Sequence, residues 1–454
     1  MVLIDDLNHY LYQNTEVPSS LWRAGSYALL LGVHTLCWTG LHAFNTTEAP
    51  GLDRFVHLLK VRSDYKTRKK GLITVSNHIC VLDDPLIWGV LPLSFAASHG
   101  RQAYRWTFAS HDLCFTNTLL SHFFTLGQTL PTHRIKHSIY GGLFQPTFTE
   151  GVRLLSPIDS DGLSYNPHCA TIPGYKPVTQ TIFNRFNQAA QGDTTPALAW
   201  PRNVIDPLSP LREQGQQAPA YPSYPNDVRM YNAPSRYACN SYSWVHIFPE
   251  GFIHQTDPGK RYMRYFKWGV SRLVLEPLEA PDLVPMFIEG TDRIMHESRT
   301  FPRFIPRCFN KVSVTFGDAV DVEATFGDLR KRWRQICDRE NEKILNEQMQ
   351  AELAQAKKQG MKFTKQQLLQ HKKMLLDSMY EVQLGIVSEK LKWDPEVVEL
   401  RIECTKRVRD EVLKVRRSRG YPDEDPKGGL VETWKIEGPN REGRMEDGSW
   451  VKET

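Results

Sequence analysis

Two side chains five positions apart, His78 and Asp83, carry the first chemistry legible in this chain; they lie in Ser76-Asn77-His78-Ile79-Cys80-Val81-Leu82-Asp83-Asp84-Pro85. A carboxylate aimed at one imidazole nitrogen fixes which nitrogen holds the proton and leaves the other able to accept one. An ordinary imidazole titrates near pH ~6.5, so a histidine held this way can deprotonate a hydroxyl at neutral pH. The pair supplies a base and its orienter but no nucleophile. Neither a Gly-x-Ser-x-Gly elbow nor a Cys-x-x-Cys pair stands nearby, which leaves a hydroxyl of the substrate to attack. Cys80 lies inside the stretch, yet nothing in the pattern requires a thiol there. A loop histidine satisfied by a neighbouring acid is also common in proteins, so spacing alone does not make a site.

The flanking elements would position the pair usefully. Gly71-Leu72-Ile73-Thr74-Val75 reads as a strand and Leu86-Ile87-Trp88-Gly89-Val90-Leu91 as a helix. A strand, a polar loop and a helix deliver side chains to a strand's carboxyl end, where α/β folds build sites. Further strands are predicted at Tyr104–Ala109, Trp244–Phe248, Leu283–Ile288 and Lys311–Phe316. Helices are predicted at Phe115–Leu126, at Pro146–Leu155 with proline in its first turn, and at Arg264–Glu276, where Phe266, Val270 and Leu273 share a face. From Phe326 to about Arg419 the chain is helical and charge-rich.

Composition narrows the partners. Lysine and arginine exceed aspartate and glutamate by 56 to 51 over 454 residues, a mild excess that suits an anionic membrane surface. No dense basic run interleaved with aromatics argues for nucleic acid. The eight cysteines are scattered without metal-type spacing. Met1–Pro18 holds Asp5, Asp6 and Glu16 and no arginine, unlike an Arg-rich presequence, so any mitochondrial address would be internal. Ala24–Leu41 is uncharged for eighteen residues, the lower limit for a bilayer span. Three glycines and His34 within it weigh against a span and predict a one-sided, in-plane or re-entrant anchor, with a buried core helix as the alternative.

Four runs in order complete a pattern. Asn77-His78-x4-Asp83 resembles the first block of the glycerolipid acyltransferases, whose histidine deprotonates the acceptor hydroxyl and whose aspartate orients it. Gly127-Gln128-Thr129-Leu130-Pro131-Thr132-His133-Arg134 resembles their second block, Phe248-Pro249-Glu250-Gly251 the third and Val284-Pro285-Met286 the fourth. Asp83-Asp84-Pro85 with Trp88, Trp244-Val245-His246-Ile247 and Arg264-Tyr265-Phe266-Lys267-Trp268-Gly269 narrow the likeness to the phospholipid–lysophospholipid transacylases of the mitochondrial cardiolipin pathway. The chain departs from the common pattern just after Gly251, where Phe252 and Ile253 replace a small polar or basic residue.

The resemblance implies an α/β fold, a mixed sheet surrounded by helices, with a membrane-contacting N-terminal helix. It implies that His78 and Asp83 are catalytic and that Arg134, Phe248, Pro249, Glu250 and Gly251 bind the substrate's phosphate and glycerol. Glu250 would hold a substrate hydroxyl or brace Arg134. No cofactor is implied, neither metal nor nucleotide. The implied partners are membrane phospholipids and lysophospholipids, cardiolipin among them, on mitochondrial membranes facing the intermembrane space, with the protein peripheral or monotopic. Residues 1–52 would then contact the membrane, and 53–155 and 239–339 would form the catalytic domain. The segment 156–238, with 12 of the 29 prolines, is expected to be a disordered insertion, 340–393 a charged helical insertion, 394–420 a C-terminal helix and 421–454 a disordered tail. An acyl-CoA-dependent lysophospholipid acyltransferase would carry the same catalytic blocks, because His/Asp chemistry is indifferent to the leaving group. A non-catalytic membrane scaffold fits less well, since it would be free to lose His78 or Asp83.

Overall fold

A computed structural model describes residues 20–64, 68–99, 104–134, 142–156, 242–255, 262–299, 301–302, 304–358, 364, 366–369, 385, 387–431, 442–444 and 450–452. Its centre is a seven-stranded sheet: β1 (Thr46–Glu48), β2 (Leu72–Val75), β3 (Trp106–Ser110), β4 (Thr129–Thr132), β5 (Trp244–Ile247), β6 (Asp282–Glu289) and β7 (Lys311–Phe316). The order is β1-β7-β6-β2-β5-β3-β4. Only the β6–β7 pairing is antiparallel, so the sheet is mixed. β2 and β5 are buried at every position, the continuous pattern of strands covered on both faces.

Helices supply both covers. On one face lie α1 (Ser20–Phe44), α2 (Leu52–Val61) and α3 (Asp83–Trp88), whose Leu41, Phe55, Ile87 and Trp88 join Val314 and Phe316 in one core. The other face carries α4 (Pro146–Leu155), α5 (Gly269–Leu275), α7 (Val322–Lys358) and α8 (Pro395–Ser418). Val152, Leu273, Phe287, Phe326 and Val408 meet there. Each such side chain contributes about 1.5–3 kcal/mol on leaving water. Between β6 and β7, α6 (Thr291–Ile294) makes a single turn. α8 starts cleanly, with Pro395 in its first turn and Asp394 accepting the amides of Glu396 (2.9 Å) and Val397 (3.4 Å).

The predicted fold class holds, and several boundaries move. The expected helix from Arg264 begins only at Gly269. The amides of Arg264 and Lys267 are taken elsewhere, by Glu250 Oε2 at 3.0 Å and Pro249 O at 2.8 Å, so that stretch is not helical. β4, which is not among the strands predicted from sequence, contains Pro131; a missing N–H is tolerated because β4 is the sheet's edge. The start of the expected tail is folded: Glu424 is buried between Arg409 (2.5 Å) and Arg416 (3.3 Å) and accepts the Met263 amide at 2.7 Å. Ionic anchoring there outweighs a polar, Gly/Pro-rich composition. The segment from 157 to 241, most of the expected insertion, and much of 359–386 lie outside the described residues.

No helix among the described residues is long and apolar enough to cross a membrane. α1 packs on the domain through Ser26, Leu30, His34 and Leu41 and leaves Leu36 exposed. Its Ser26 hydroxyl donates to Leu126 O (2.6 Å), and His34, its pKa lowered by burial, bonds Leu91 O at 3.0 Å.

Candidate active site

Five parallel strands, β2, β3, β4, β5 and β6, end on the same side, and the residues of interest emerge there. The loop after β2 is pinned first by Asn77, whose side chain donates to Ile288 O (3.0 Å) and accepts the Ile288 amide (2.8 Å). Asn77 thus gives β6 the partner that β2 no longer supplies beyond Val75. His78 follows, with Nδ1 2.9 Å from Asp83 Oδ2.

Asp83 opens α3 and is fully buried. Its Oδ2 also accepts the amides of Ile79 (2.6 Å) and Cys80 (2.8 Å), and Oδ1 accepts the Thr291 hydroxyl (2.5 Å). Four donors and a helix N-terminus compensate a carboxylate that would otherwise be costly to bury. With Asp83 accepting the Nδ1 proton, neutral His78 presents Nε2 as an acceptor. Nε2 meets no hydrogen-bonding partner among the described residues, and the side chain is 20% exposed. The Phe248 ring stacks on the imidazole at 4.3 Å and meets buried His246 edge-on at 4.4 Å.

The Pro249-Glu250-Gly251 turn at the end of β5 holds the other side of His78. Glu250 Oε1 accepts the His78 amide (2.8 Å), Oε2 accepts the Arg264 amide (3.0 Å), and the His254 amide donates to His78 O (2.8 Å). Burial pushes the Glu250 carboxyl up to about 7, against the pull of those two amides. Both Glu250 oxygens are engaged by main chain, so this carboxylate positions His78 and does not brace Arg134. Gly251 has φ +74°, and a Cβ there would lie 2.6 Å from Lys267 Nζ. The Arg264 guanidinium covers the Phe252 ring at 3.9 Å.

Asp84 does a different job from Asp83. It pairs with buried Arg105 through Nε (3.1 Å) and Nη2, and accepts the Trp88 indole N–H at 3.3 Å. Burial pulls the Arg105 guanidinium down to about 9. Cys80 is buried and its thiol is pushed well above its ordinary pKa, first by burial and then by Asp83. That environment opposes the thiolate a nucleophile needs.

Arg134 stands apart from the other expected site residues. It follows β4, three strand spacings from β2, or ~14 Å at ~4.8 Å each. Its guanidinium pairs with Asp112, through Nε at 3.0 Å and through Nη2. Beside it His111 and His133 stack at 4.3 Å, and burial lowers them to about 4 and about 3, so both are neutral at pH 7. Sequence reasoning missed Thr291, 208 positions from the carboxylate it serves, and it missed Asp112. No local motif marks either.

Comparison with protein-family models gives no match. Among curated proteins, the chain is 31% identical over 330 residues to Tafazzin of Saccharomyces cerevisiae, covering 71% of this chain and 69% of that protein. The chain belongs to the tafazzin family. Tafazzin of Drosophila melanogaster is 24% identical over 343 residues, 75% of this chain and 63% of the fly protein. N-acylphosphatidylethanolamine synthase of Arabidopsis thaliana is 30% identical over 254 residues, 56% of each chain. As a tafazzin-family member the protein is an acyltransferase, and the resemblance carried by its four blocks is met.

Proposed function

We propose that this tafazzin-family protein moves an acyl chain from a phospholipid to a lysophospholipid without CoA. The observation that carries the acyl transfer is the His78–Asp83 pair, with a carboxylate locked by four donors and an imidazole edge left without a partner among the described residues. Transfer without CoA rests on the tafazzin likeness instead, since the pair is indifferent to the leaving group. His78 Nε2 takes the proton of the lysolipid hydroxyl as that oxygen attacks the donor's ester carbonyl. Asp83 keeps the proton of the neutral ring on Nδ1 and stabilises the imidazolium that forms. When the tetrahedral intermediate collapses, the bond to the donor's glycerol oxygen breaks and His78 returns the proton to that oxygen. Donor and acceptor then exchange names, so the step runs in both directions.

Phe248, Pro249 and Gly251 shape the wall beside His78, and Glu250 holds that wall to the His78 main chain. Arg134 can serve a phosphate by sharing or releasing Asp112, since a bidentate guanidinium suits a phosphodiester as it suits a carboxylate. Family membership supports phospholipids as the substrate class and a membrane-associated enzyme. Within that class we assign cardiolipin and its lyso form, on mitochondrial membranes facing the intermembrane space, as the transacylase branch implies.

His78→Ala should lower transfer by about 10²–10⁴-fold while the urea unfolding midpoint stays put. A folded variant with near-normal transfer would remove His78 from the chemistry.

A further inference from the structure

The loop joining α6 to β7 leaves large apolar side chains in water. Phe301, Phe304, Ile305 and Phe309 are 85%, 75%, 44% and 90% exposed. Single exposed leucines are ordinary, but three phenylalanines and an isoleucine within nine residues mark a contact surface.

This loop is fastened at its end. Arg307 donates its amide to Ile294 O (2.8 Å) and Phe309 donates to Phe44 O (2.7 Å). Asn310 then donates to Asn45 Oδ1 at 2.9 Å. The end of α1 is thereby joined to the loop, and Phe44 there is 49% exposed. The loop is also tied to the catalytic machinery. Gln255 accepts the Glu297 amide on its carbonyl (3.1 Å) and donates to Ile79 O (2.8 Å), one residue beyond His78. α6, immediately before the loop, supplies Thr291 to Asp83. In the His78 loop itself Val81 is 49% exposed.

Charge identifies the occupant. From Arg293 to Arg307 the sequence has four bases (Arg293, Arg299, Arg303, Arg307) against one acid, Glu297, while Lys311 beyond them is paired with Glu48 at 2.8 Å. Aromatic rings interleaved with cations match the boundary of an anionic bilayer, where rings settle at headgroup depth and cations meet phosphates. Phenylalanine and arginine also mark protein interfaces, but this loop is tied through Gln255 to the His78 loop, which must open towards lipid.

We propose that the Phe301–Phe309 loop, with Phe44 at the end of α1, is the element that docks the enzyme on an anionic phospholipid bilayer. Docking there brings the His78 opening to the headgroup layer, and α1 contributes its end rather than acting as the sole anchor. The proposal rests on the reading that both substrates are bilayer lipids.

The test uses the full chain and vesicles of phosphatidylcholine with and without phosphatidylglycerol, read by co-sedimentation. Wild-type protein should favour the phosphatidylglycerol vesicles and release from them as salt rises. Phe301→Asp/Phe304→Asp should lower partitioning at least about tenfold, and the uncharged Phe301→Ser/Phe304→Ser should lower it in the same direction. Leu369→Asp, at a 70% exposed residue outside the loop, should bind as wild type does. The loop variants should keep the wild-type unfolding midpoint and full transfer between donor and lysolipid dispersed in detergent micelles. Wild-type binding by both double variants, or an equal loss in Leu369→Asp, would overturn the proposal. If wild-type protein binds vesicles through the loop but transfers no acyl group in micelles, the activity proposal fails and the docking proposal stands.

Discussion

Replacing Asp83 by asparagine removes a charge while leaving the shape of the site nearly intact. With its carbonyl in the place of Oδ2, the substituted side chain can still accept the Nδ1 proton of His78 and the amides of Ile79 and Cys80. Its amino group then faces Thr291, whose hydroxyl can rotate to accept. Stability should therefore fall by only about 1–2 kcal/mol. Asp83→Ala, by contrast, strands two amides and a hydroxyl in a buried place and should cost several times more. The catalytic loss has a different origin. At the observed 2.9 Å, a unit charge pair interacts by about 6 kcal/mol with an effective dielectric of ~20. This would correspond to about four decades of rate, and solvent at the 20% exposed imidazole reduces it. In its other rotamer the amide would force the wrong tautomer, which is also inhibitory. Asp83→Asn should thus lose about 10²–10⁴ in kcat, measured by transfer of a labelled acyl chain between dispersed lipids. His78→Ala/Asp83→Asn should be no slower than His78→Ala alone, because the two residues act as a unit. A folded Asp83→Asn within about threefold of wild type would refute the assignment of Asp83 as orienter.

Two further perturbations probe what holds the site. Glu250 binds its proton more tightly in the folded state, with a pKa of about 7 against 4.5. A raised carboxyl pKa leaves stability undiminished below the lower value and erodes it as pH rises to the upper one, here by on the order of 3 kcal/mol. Glu250→Gln should cancel that slope, so urea midpoints at pH 5 and pH 8 should show the variant gaining on wild type at the higher pH. A gap that does not change with pH would contradict it. Glu424→Ala leaves Arg409 and Arg416 buried without their shared carboxylate and frees the Met263 amide. It should cost about 3–5 kcal/mol in unfolding free energy, and an unchanged midpoint would remove the C-terminal clamp from the account.

Most of the sheet was legible because its strands are short apolar runs with a helix or a turn signal after them. Pro146–Leu155 and Lys311–Phe316 fall where the pattern put them. Errors came where a distant partner decides local structure. Arg264–Lys267 has helical spacing, yet two of its amides bond the Pro249-Glu250 turn, and no local pattern carries that. The His78–Asp83 contact was legible because both ends lie in one loop. The donors that complete Asp83's surroundings were only partly so: two are adjacent amides, and the third is a threonine brought in by β6. Arg134 illustrates the reverse case. Its block was visible, but the ion pair with Asp112 joins the helical turn His111–Cys114 after β3 to the segment after β4, and appears only once those strands are paired.

The central claim is acyl exchange at His78 without a CoA intermediate. Its most direct test mixes purified wild-type protein with a phospholipid labelled in one acyl chain and an unlabelled lysophospholipid, in micelles free of CoA and acyl-CoA. Label should appear in the former lysolipid, with an equimolar amount of new lysolipid from the donor, and added acyl-CoA should not raise the rate. His78→Ala, assayed in parallel, should transfer almost none. Transfer that begins only when acyl-CoA is supplied, or that persists unchanged in His78→Ala, would contradict the account.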